Sequence, residues 1–158
     1  MTVQPIPEGY HTITPYLLVD GAARAIDFYK TAFGAVEIMR LPMPGDRIGH
    51  AEIKIGNSHV MLADEFPDMG MQGPGALGGT PVGLLIYVDN VDEAFEQAVH
   101  AGAEVERPLQ NQFYGDRSGT LIDPFGHRWT IATHIEDVPS DEIQRRMQAL
   151  ADSEGQTS

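Results

Sequence analysis

The chain has 158 residues, 42% of them hydrophobic, which is enough for one domain with its own core. It contains no cysteine, so disulfides, thiolate zinc sites and a cysteine nucleophile are excluded. A formal net charge of -13 disfavours binding to nucleic acid or to an anionic membrane surface. The sequence has no long apolar run of membrane-spanning length and no signal-peptide pattern, so we expect a cytoplasmic protein.

Two stretches of the chain share a motif at a nearly fixed spacing. Val19-Asp20 recurs 69 positions later as Val88-Asp89, and Gly34-Ala35 recurs 68 positions later as Gly102-Ala103. A repeated sequence period normally indicates a repeated structural unit. Because two copies are too few for a solenoid, we expect two similar modules paired in one domain.

Each copy has the same predicted order of elements. An apolar, strand-like run, at 13–19 and again at 84–88, is followed by a helix with an apolar stripe. Asp20 and Asn90 are the expected N-caps of these helices, and Gly34 and Gly102 their expected C-terminal caps. Three shorter strands then complete a βαβββ module. They are predicted at 36–41, 49–55 and 59–64 in the first copy, and at 104–109, 118–122 and 127–135 in the second.

These elements predict a single α+β domain over residues 1–158, with module one at 11–65 and module two at 83–137. The segment 66–82 is rich in glycine and proline and is interpreted as a linker, with a flap over a cleft as the alternative. A C-terminal helix is expected at 139–152, capped by Ser140. Its narrow apolar stripe can pack on its own domain or across a dimer; the stripe consists of Ile143, Met147 and Leu150.

Several motifs are typical of one known superfamily. They include Ala25-Ile26-Asp27-Phe28-Tyr29-Lys30 after the first strand and Asp123-Pro124-Phe125-Gly126-His127-Arg128-Trp129 near the end. With them, the chain resembles the vicinal oxygen chelate superfamily of glyoxalases, bleomycin-resistance proteins, fosfomycin-resistance enzymes and extradiol dioxygenases. Gly115–Gly119 and His134–Val138 are similar to its PhnB-like branch. The resemblance implies that both modules form a curved eight-stranded mixed sheet with a concave cleft, but it does not identify a reaction.

The resemblance also implies where a metal would bind. In metal-using members, four ligands, usually His, Gln or Glu, come from the first and last strands of each module. The corresponding positions here are Thr14, Met61 or Leu62, Gly83 and Thr130. Zinc, iron, nickel and manganese prefer imidazole, carboxylate or thiolate ligands, which these residues lack. We therefore expect no metal and no cofactor, and a divalent metal is the disfavoured alternative.

Strand alternation predicts which side chains line the cleft. If Thr14 and Gly83 face it, Tyr16 and Tyr87 face it as well. Trp129 then points the other way, into the core.

A second group of polar side chains is predicted on one strand face. His50 and Glu52 share that face with His59 of the neighbouring strand. A His-x-Glu pair is suited to general acid–base catalysis or to an off-pattern metal site. A solvated polar edge is the alternative interpretation.

Two further segments have open interpretations. Phe113 and Tyr114 lie beside amides and an Asp-Arg pair in 110–117, which suits either a pocket for a planar ligand or a hairpin pinned by Asp116 and Arg117. The polar segment 134–137 is either a cation site or a polar turn.

Two functions are consistent with these features. The first is a glyoxalase/bleomycin-resistance-like protein that binds a small molecule, such as an antibiotic or an aromatic metabolite, without metal in a cleft of a homodimer. The alternative is a lyase, isomerase or epimerase in which His50 and Glu52 are catalytic, with or without a divalent metal. A weaker third option is a regulatory domain that kept the fold and lost the chemistry. The expected ligand-binding residues are Tyr16, His59, Met61, Tyr87, Phe113, Tyr114 and Arg117.

Overall fold

A computed structural model describes residues 2–155 of the chain. The described residues contain eight strands, four in each half, in the βαβββ order predicted for both modules. Module one consists of β1 (Tyr16–Val19), α1 (Ala22–Phe33), β2 (Val36–Met43), β3 (Arg47–Ile55) and β4 (Ser58–Asp64). After a 3-10 turn (Pro67–Met69) and a short helix α2 (Pro74–Leu77) come β5 (Gly83–Tyr87), α3 (Val91–Ala101), β6 (Glu104–Asn111), β7 (Asp116–Ile122), β8 (Arg128–His134) and α4 (Ser140–Gly155).

The strands form two four-stranded mixed sheets, one for each module, with the orders β1-β4-β3-β2 and β5-β8-β7-β6. The first strand of each module pairs in parallel with its last strand, and the other pairs are antiparallel. Tyr16 lies beside Met61 in module one, and Leu85 lies beside Thr130 in module two. Leu85 follows Tyr16, and Thr130 follows Met61, by the same 69 positions that separate the repeated motifs in the sequence. The predicted α+β fold of two βαβββ modules is therefore confirmed, with the eight strands divided between two four-stranded sheets instead of the single curved sheet expected.

The core lies between one face of each sheet and a shared layer of helices. α1 and α3 pack against each other and against the sheets of their own modules. Tyr29 and Phe33 of α1 also contact Trp129 of module two, with ring centroids 5.4 and 4.7 Å apart. Trp129 is buried, as predicted. In each module, we call the sheet face that points away from the helices the open face. The open face of module one carries Tyr16, His50, Glu52, His59 and Met61, and that of module two carries Leu85, Tyr87, Thr120, Thr130 and His134.

The two main helices begin differently. Asn90 caps α3 as predicted, because its side-chain oxygen accepts a hydrogen bond from the Glu93 N–H at 3.2 Å. The predicted Asp20 cap of α1 is wrong. Gly21 occupies the N-cap position in a left-handed conformation, and buried Asp64, at the end of β4, accepts from its N–H at 2.8 Å. A carboxylate distant in sequence thus replaces the local cap.

Asp123 joins the two modules inside the core. Its Oδ2 accepts hydrogen bonds from the Tyr29 hydroxyl of module one at 2.6 Å and from the Trp129 indole N–H at 2.8 Å. Its Oδ1 accepts from the backbone N–H groups of Phe125 and His127, which fixes the turn before β8. Burial beside this carboxylate raises the pKa of Tyr29 far above its ordinary value. The predicted turn motif therefore also holds the modules together.

The C-terminal helix α4 extends from module two. None of its residues 140–155 is buried, and Met147 and Leu150 of its apolar stripe are 54% and 50% exposed. Arg146 ties the helix to the domain, donating to Glu136 at 2.9 Å and to the Phe113 carbonyl at 3.1 Å. Within residues 2–155, no helix combines the length and apolarity needed to cross a membrane.

Candidate functional site

A chain of polar contacts crosses the open face of module one. The Tyr16 hydroxyl lies 2.9 Å from His50 Nδ1, and His50 Nε2 lies 3.8 Å from Glu52 Oε2. The other oxygen of Glu52 accepts a hydrogen bond from the Tyr10 hydroxyl. The Tyr10 ring in turn stacks on His59, with centroids 4.0 Å apart. The structure thus brings together His50, Glu52 and His59, which alternation along β3 and β4 placed on one face.

The environment keeps both tyrosines of this face protonated. Burial, the hydrogen bond to Glu52 and its negative charge raise the pKa of Tyr10 to about 12. Burial and the Glu52 charge also raise the pKa of Tyr16. Both phenols are therefore neutral hydrogen-bond groups at neutral pH.

The open face of module two has a separate network. Buried Asp116 accepts a hydrogen bond from the Tyr87 hydroxyl at 2.8 Å, and its other oxygen lies 2.8 Å from His134 Nδ1. His134 Nε2 lies 2.7 Å from Asp137 Oδ1. Hydrogen bonding to Asp116 raises the pKa of Tyr87, and hydrogen bonding to both carboxylates raises the pKa of His134. The network connects β5, β7 and β8 to the segment before α4.

Other candidate residues have different surroundings. Arg117 donates to Asp92 of α3 at 2.8 Å and to Asn111 at 3.2 Å, so its guanidinium is engaged with the helix side of the sheet. Phe113 and Tyr114 lie in the turn between β6 and β7, where their rings form a T-shaped pair at 5.3 Å. Their turn contacts α4 rather than the network around Glu52.

A cavity of about 600 Å³ lies at the junction of the two modules. Its walls come from the segment before β1, the turn between β3 and β4, and strand β5. It brings His59 of module one to the same space as Leu85 and Tyr87 of module two. This volume falls within the range of about 300–1,000 Å³ that is common for small-molecule sites.

Tyr10 and His11, which lie ahead of β1, were not among the predicted site residues. Tyr10 contacts Glu52 and His59, and His11 lines the cavity and lies 3.1 Å from the Asn57 carbonyl. Strand alternation finds residues only within regular strands, and these two precede β1. The one sequence signal was a tyrosine and a histidine in an otherwise proline-rich start.

Comparison with known families adds an independent observation. The model of the Glyoxalase/Bleomycin resistance protein/Dioxygenase superfamily matches residues 10–131, which is most of the chain. The chain belongs to this superfamily. The resemblance inferred from the repeated motifs is therefore confirmed.

One sequence relative and two solved structures are also similar to this chain. The uncharacterized protein Rv0887c of Mycobacterium tuberculosis is 44% identical over 143 residues, covering 89% of this chain and 84% of that protein. TioX from Micromonospora sp. ML1 is 29% identical, with a TM-score of 0.64 over 79% of this chain and 99% of that one. The PhnB protein of Bacillus cereus has a TM-score of 0.59 at 18% identity over 78% of this chain and 99% of that one, a similarity of fold alone.

The superfamily's metal positions do not suit a metal here. Thr130 offers a hydroxyl that already lies 3.0 Å from the Thr120 hydroxyl, and Gly83 has no side chain. Met61 offers only a thioether, and Thr14 a hydroxyl. Across residues 2–155, no group of three or more His, Asp or Glu side chains is arranged to hold a metal ion. These residues do not fit a divalent cation that requires imidazole or carboxylate ligands.

Proposed function

We propose that the protein binds a small molecule, without a metal, in a cleft formed by two copies of the chain in the cytoplasm. In this arrangement, the open face of module one in one subunit lies opposite the open face of module two in its partner. The cavity at the module junction and the polar network around Glu52 would both contribute to the site.

One observation carries this proposal. The helix layer fills the space between the two sheets, so each sheet turns its open face away from the core of its own chain. These faces nevertheless carry large side chains, with Tyr16, Leu85 and Tyr87 exposed by 46%, 51% and 62%. Clustered exposed apolar side chains mark a surface that binds a partner or a ligand. A second copy would cover them and close a cleft.

The dimer is tested by sedimentation equilibrium. We expect a dimer for the wild type at micromolar concentration, and a shift to monomer in Leu85→Glu, because a charge would then be buried in the interface. Val99→Glu is the matched control, since Val99 is an exposed apolar residue on α3 rather than on an open face. A monomeric wild type, or equal dimerisation of both variants, would contradict the arrangement.

Ligand binding is tested by thermal shift and metal independence by elemental analysis. A library of cationic and planar aromatic molecules should contain compounds that raise the midpoint of unfolding, because binding to the native state stabilises it. Protein purified without an affinity tag should contain no stoichiometric zinc, iron, nickel or manganese. A library without any stabilising compound would argue against binding, and stoichiometric metal against metal independence.

The contact between Tyr16, His50 and Glu52 favours a second function. These groups are arranged to accept and pass a proton, as a lyase, isomerase or epimerase requires. In that case, a bound ligand incubated in deuterated water should acquire deuterium, which mass spectrometry detects. His50→Ala and Glu52→Ala should each abolish the incorporation. Undiminished incorporation in both variants would exclude them as the catalytic pair.

A further inference from the structure

The segment 7–11 lies against the open face of module one. The Tyr10 N–H donates to the Pro7 carbonyl at 3.0 Å and forms a turn. Two histidines hold the segment on both sides of this turn: His59 Nδ1 lies 3.0 Å from the Gly9 carbonyl, and His11 Nε2 lies 3.1 Å from the Asn57 carbonyl. The turn thereby places the Tyr10 side chain on the face.

Tyr10 uses two distinct kinds of contact there. Its ring stacks on the His59 ring, at 4.0 Å between centroids and 17° between planes. Its hydroxyl donates to the Glu52 carboxylate. A flat ring and a hydrogen-bond donor are thus recognised at one place by side chains that belong to different strands, β4 and β3.

The covering segment is attached lightly. Residues 2–15 form no regular helix or strand, and the segment 7–11 meets module one through a few hydrogen bonds and one stacked pair. Segments with few buried apolar contacts open at a much lower free energy than the core does. Tyr10 can therefore leave the face without unfolding the module.

We propose that Tyr10 occupies the place of the ligand, and that the ligand carries a planar aromatic ring with an O–H or N–H donor. This inference rests on the proposed small-molecule binding and specifies its chemistry. The incoming ring stacks on His59, and its donor replaces the Tyr10 hydroxyl at Glu52. The segment 7–11 acts as a cover that a ligand displaces.

The position of His59 shows how a larger ligand fits. The same imidazole that stacks on Tyr10 also lines the cavity at the module junction, together with Leu85 and Tyr87. A ligand whose ring replaces Tyr10 can extend past His59 into this cavity.

Glu52 sets the selectivity of the site. Removing Tyr10 takes away the hydrogen-bond donor to this carboxylate. A ligand therefore binds most tightly when it donates a hydrogen bond to Glu52 in its place. A ring without a donor leaves Oε1 of Glu52 without the hydrogen bond that Tyr10 supplied, and a ring with its own carboxylate places two negative charges together. Phenols and arylamines are therefore accepted, and aromatic hydrocarbons and benzoates are rejected.

The test compares four probes of one shape: 4-ethylphenol, 4-ethylaniline, ethylbenzene and 4-ethylbenzoate. Their affinities are measured by ligand-observed NMR for the wild type and for Tyr10→Ala. A competing cover lowers the apparent affinity by the fraction of open protein, so Tyr10→Ala should bind the phenol and the aniline at least about tenfold more tightly. Leu77→Ala, a truncation of an exposed residue in α2, is the control that should match the wild type.

Two further measurements address the wild-type protein and the role of the carboxylate. Saturating the wild type with 4-ethylphenol should move the amide signals of residues 9–11 to those of an unstructured chain. Adding Glu52→Gln to Tyr10→Ala should remove the preference for phenol over ethylbenzene. Tyr10→Phe, which keeps the ring and deletes the donor, should bind the phenol more tightly than the wild type but less tightly than Tyr10→Ala.

Three results would overturn the inference: no gain in affinity in Tyr10→Ala, no dependence on Glu52, or binding to the wild type with residues 9–11 unmoved. These results leave the proposed function intact if the dimer forms and another compound binds in the cleft. Absence of both the dimer and any stabilising compound would remove the proposed function itself. The two failures are therefore distinguishable.

Discussion

The open faces of the two modules share a backbone plan but differ in chemistry. In module one, the face carries two tyrosines, two histidines and a carboxylate linked by a chain of contacts, once Tyr10 of the covering segment is included. In module two, matched positions carry leucine and threonine, and the ionisable groups gather at the end next to α4. The matched pairs, by strand register, are Tyr16 and Leu85, Met61 and Thr130, and Glu52 and Thr120.

This difference indicates a division of roles between the copies. A duplicated module needs its core face to fold, whereas its open face is free to diverge. Module one presents polar groups at the positions matched between the modules, whereas module two presents leucine and threonine there and keeps its polar network at the end next to α4. Each face is also bordered by an irregular segment outside its module, with Tyr10 ahead of β1 at module one and Asp137 between β8 and α4 at module two.

The largest expected effect concerns the junction that joins the modules. Asp123→Ala leaves the buried Tyr29 hydroxyl and the Trp129 N–H without their acceptor, so we expect a loss of about 3–5 kcal/mol in the free energy of unfolding. Urea unfolding followed by the fluorescence of Trp129, the single tryptophan, measures it. Asp123→Asn retains one oxygen and should lose less. Equal stability of the wild type and Asp123→Ala would show that the junction does not depend on this carboxylate.

The helix starts provide a second comparison between the modules. Asp64 accepts hydrogen bonds from the N–H groups of Gly21, Ala22 and Ile48 and is buried, whereas Asn90 accepts one from Glu93 and is exposed. We expect Asp64→Ala to cost about 2–4 kcal/mol of unfolding free energy and Asn90→Ala about 1 kcal/mol. Parallel urea titrations compare the two variants. An Asn90→Ala loss as large as that of Asp64→Ala would contradict the assignment of the caps.

These caps also show how far the sequence could predict the structure. The 69-residue repeat and the glycines at the helix ends identified the two modules, and strand alternation identified the buried Trp129. These features could be predicted because they depend on patterns within the sequence itself. Asp20 was predicted as a cap because only neighbours were considered, whereas the acceptor is Asp64, which lies at the end of β4, beyond two intervening strands. Tyr10 was missed for the same reason, since its role depends on tertiary contacts of an irregular segment.

The matched positions Glu52 and Thr120 test the division of roles directly. In the Tyr10→Ala background, Glu52→Gln should weaken the binding of 4-ethylphenol about tenfold, because a hydrogen bond to a charged acceptor is worth about 1.5–3 kcal/mol. Thr120→Val should weaken it less than Glu52→Gln does, because a neutral hydrogen bond is worth only about 0.5–1.5 kcal/mol. Isothermal titration calorimetry measures both affinities. A larger effect at Thr120 than at Glu52 would reverse the roles assigned to the modules.

The smallest expected effect distinguishes by pH the two irregular segments that border the open faces. The pKa of His134 is raised above its ordinary value of 6.5 by hydrogen bonds to Asp116 and Asp137. A raised pKa in the folded state means that the stabilisation is fully present below about 6.5 and is lost as the pH rises through the folded value. The contact between β8 and Asp137 should therefore loosen as the pH rises through the raised pKa of His134. The Tyr10 hydroxyl at module one, by contrast, stays protonated over the same range, because its pKa is about 12.

NMR titration of the His134 ring and hydrogen exchange of neighbouring amides measure this contrast. The N–H groups of Ile135 and Glu136 donate to the Gly115 carbonyl, where the chain passes so close that a β-carbon on Gly115 would collide with Glu136. Their exchange should accelerate with pH more steeply than that of Tyr10, after correction for intrinsic exchange rates. Asp137→Asn should lower the pKa of His134 and move the transition to lower pH. A His134 pKa at or below 6.5 would contradict the role of the two carboxylates. Equal acceleration of exchange at Tyr10 and at Ile135 would contradict the contrast between the two segments.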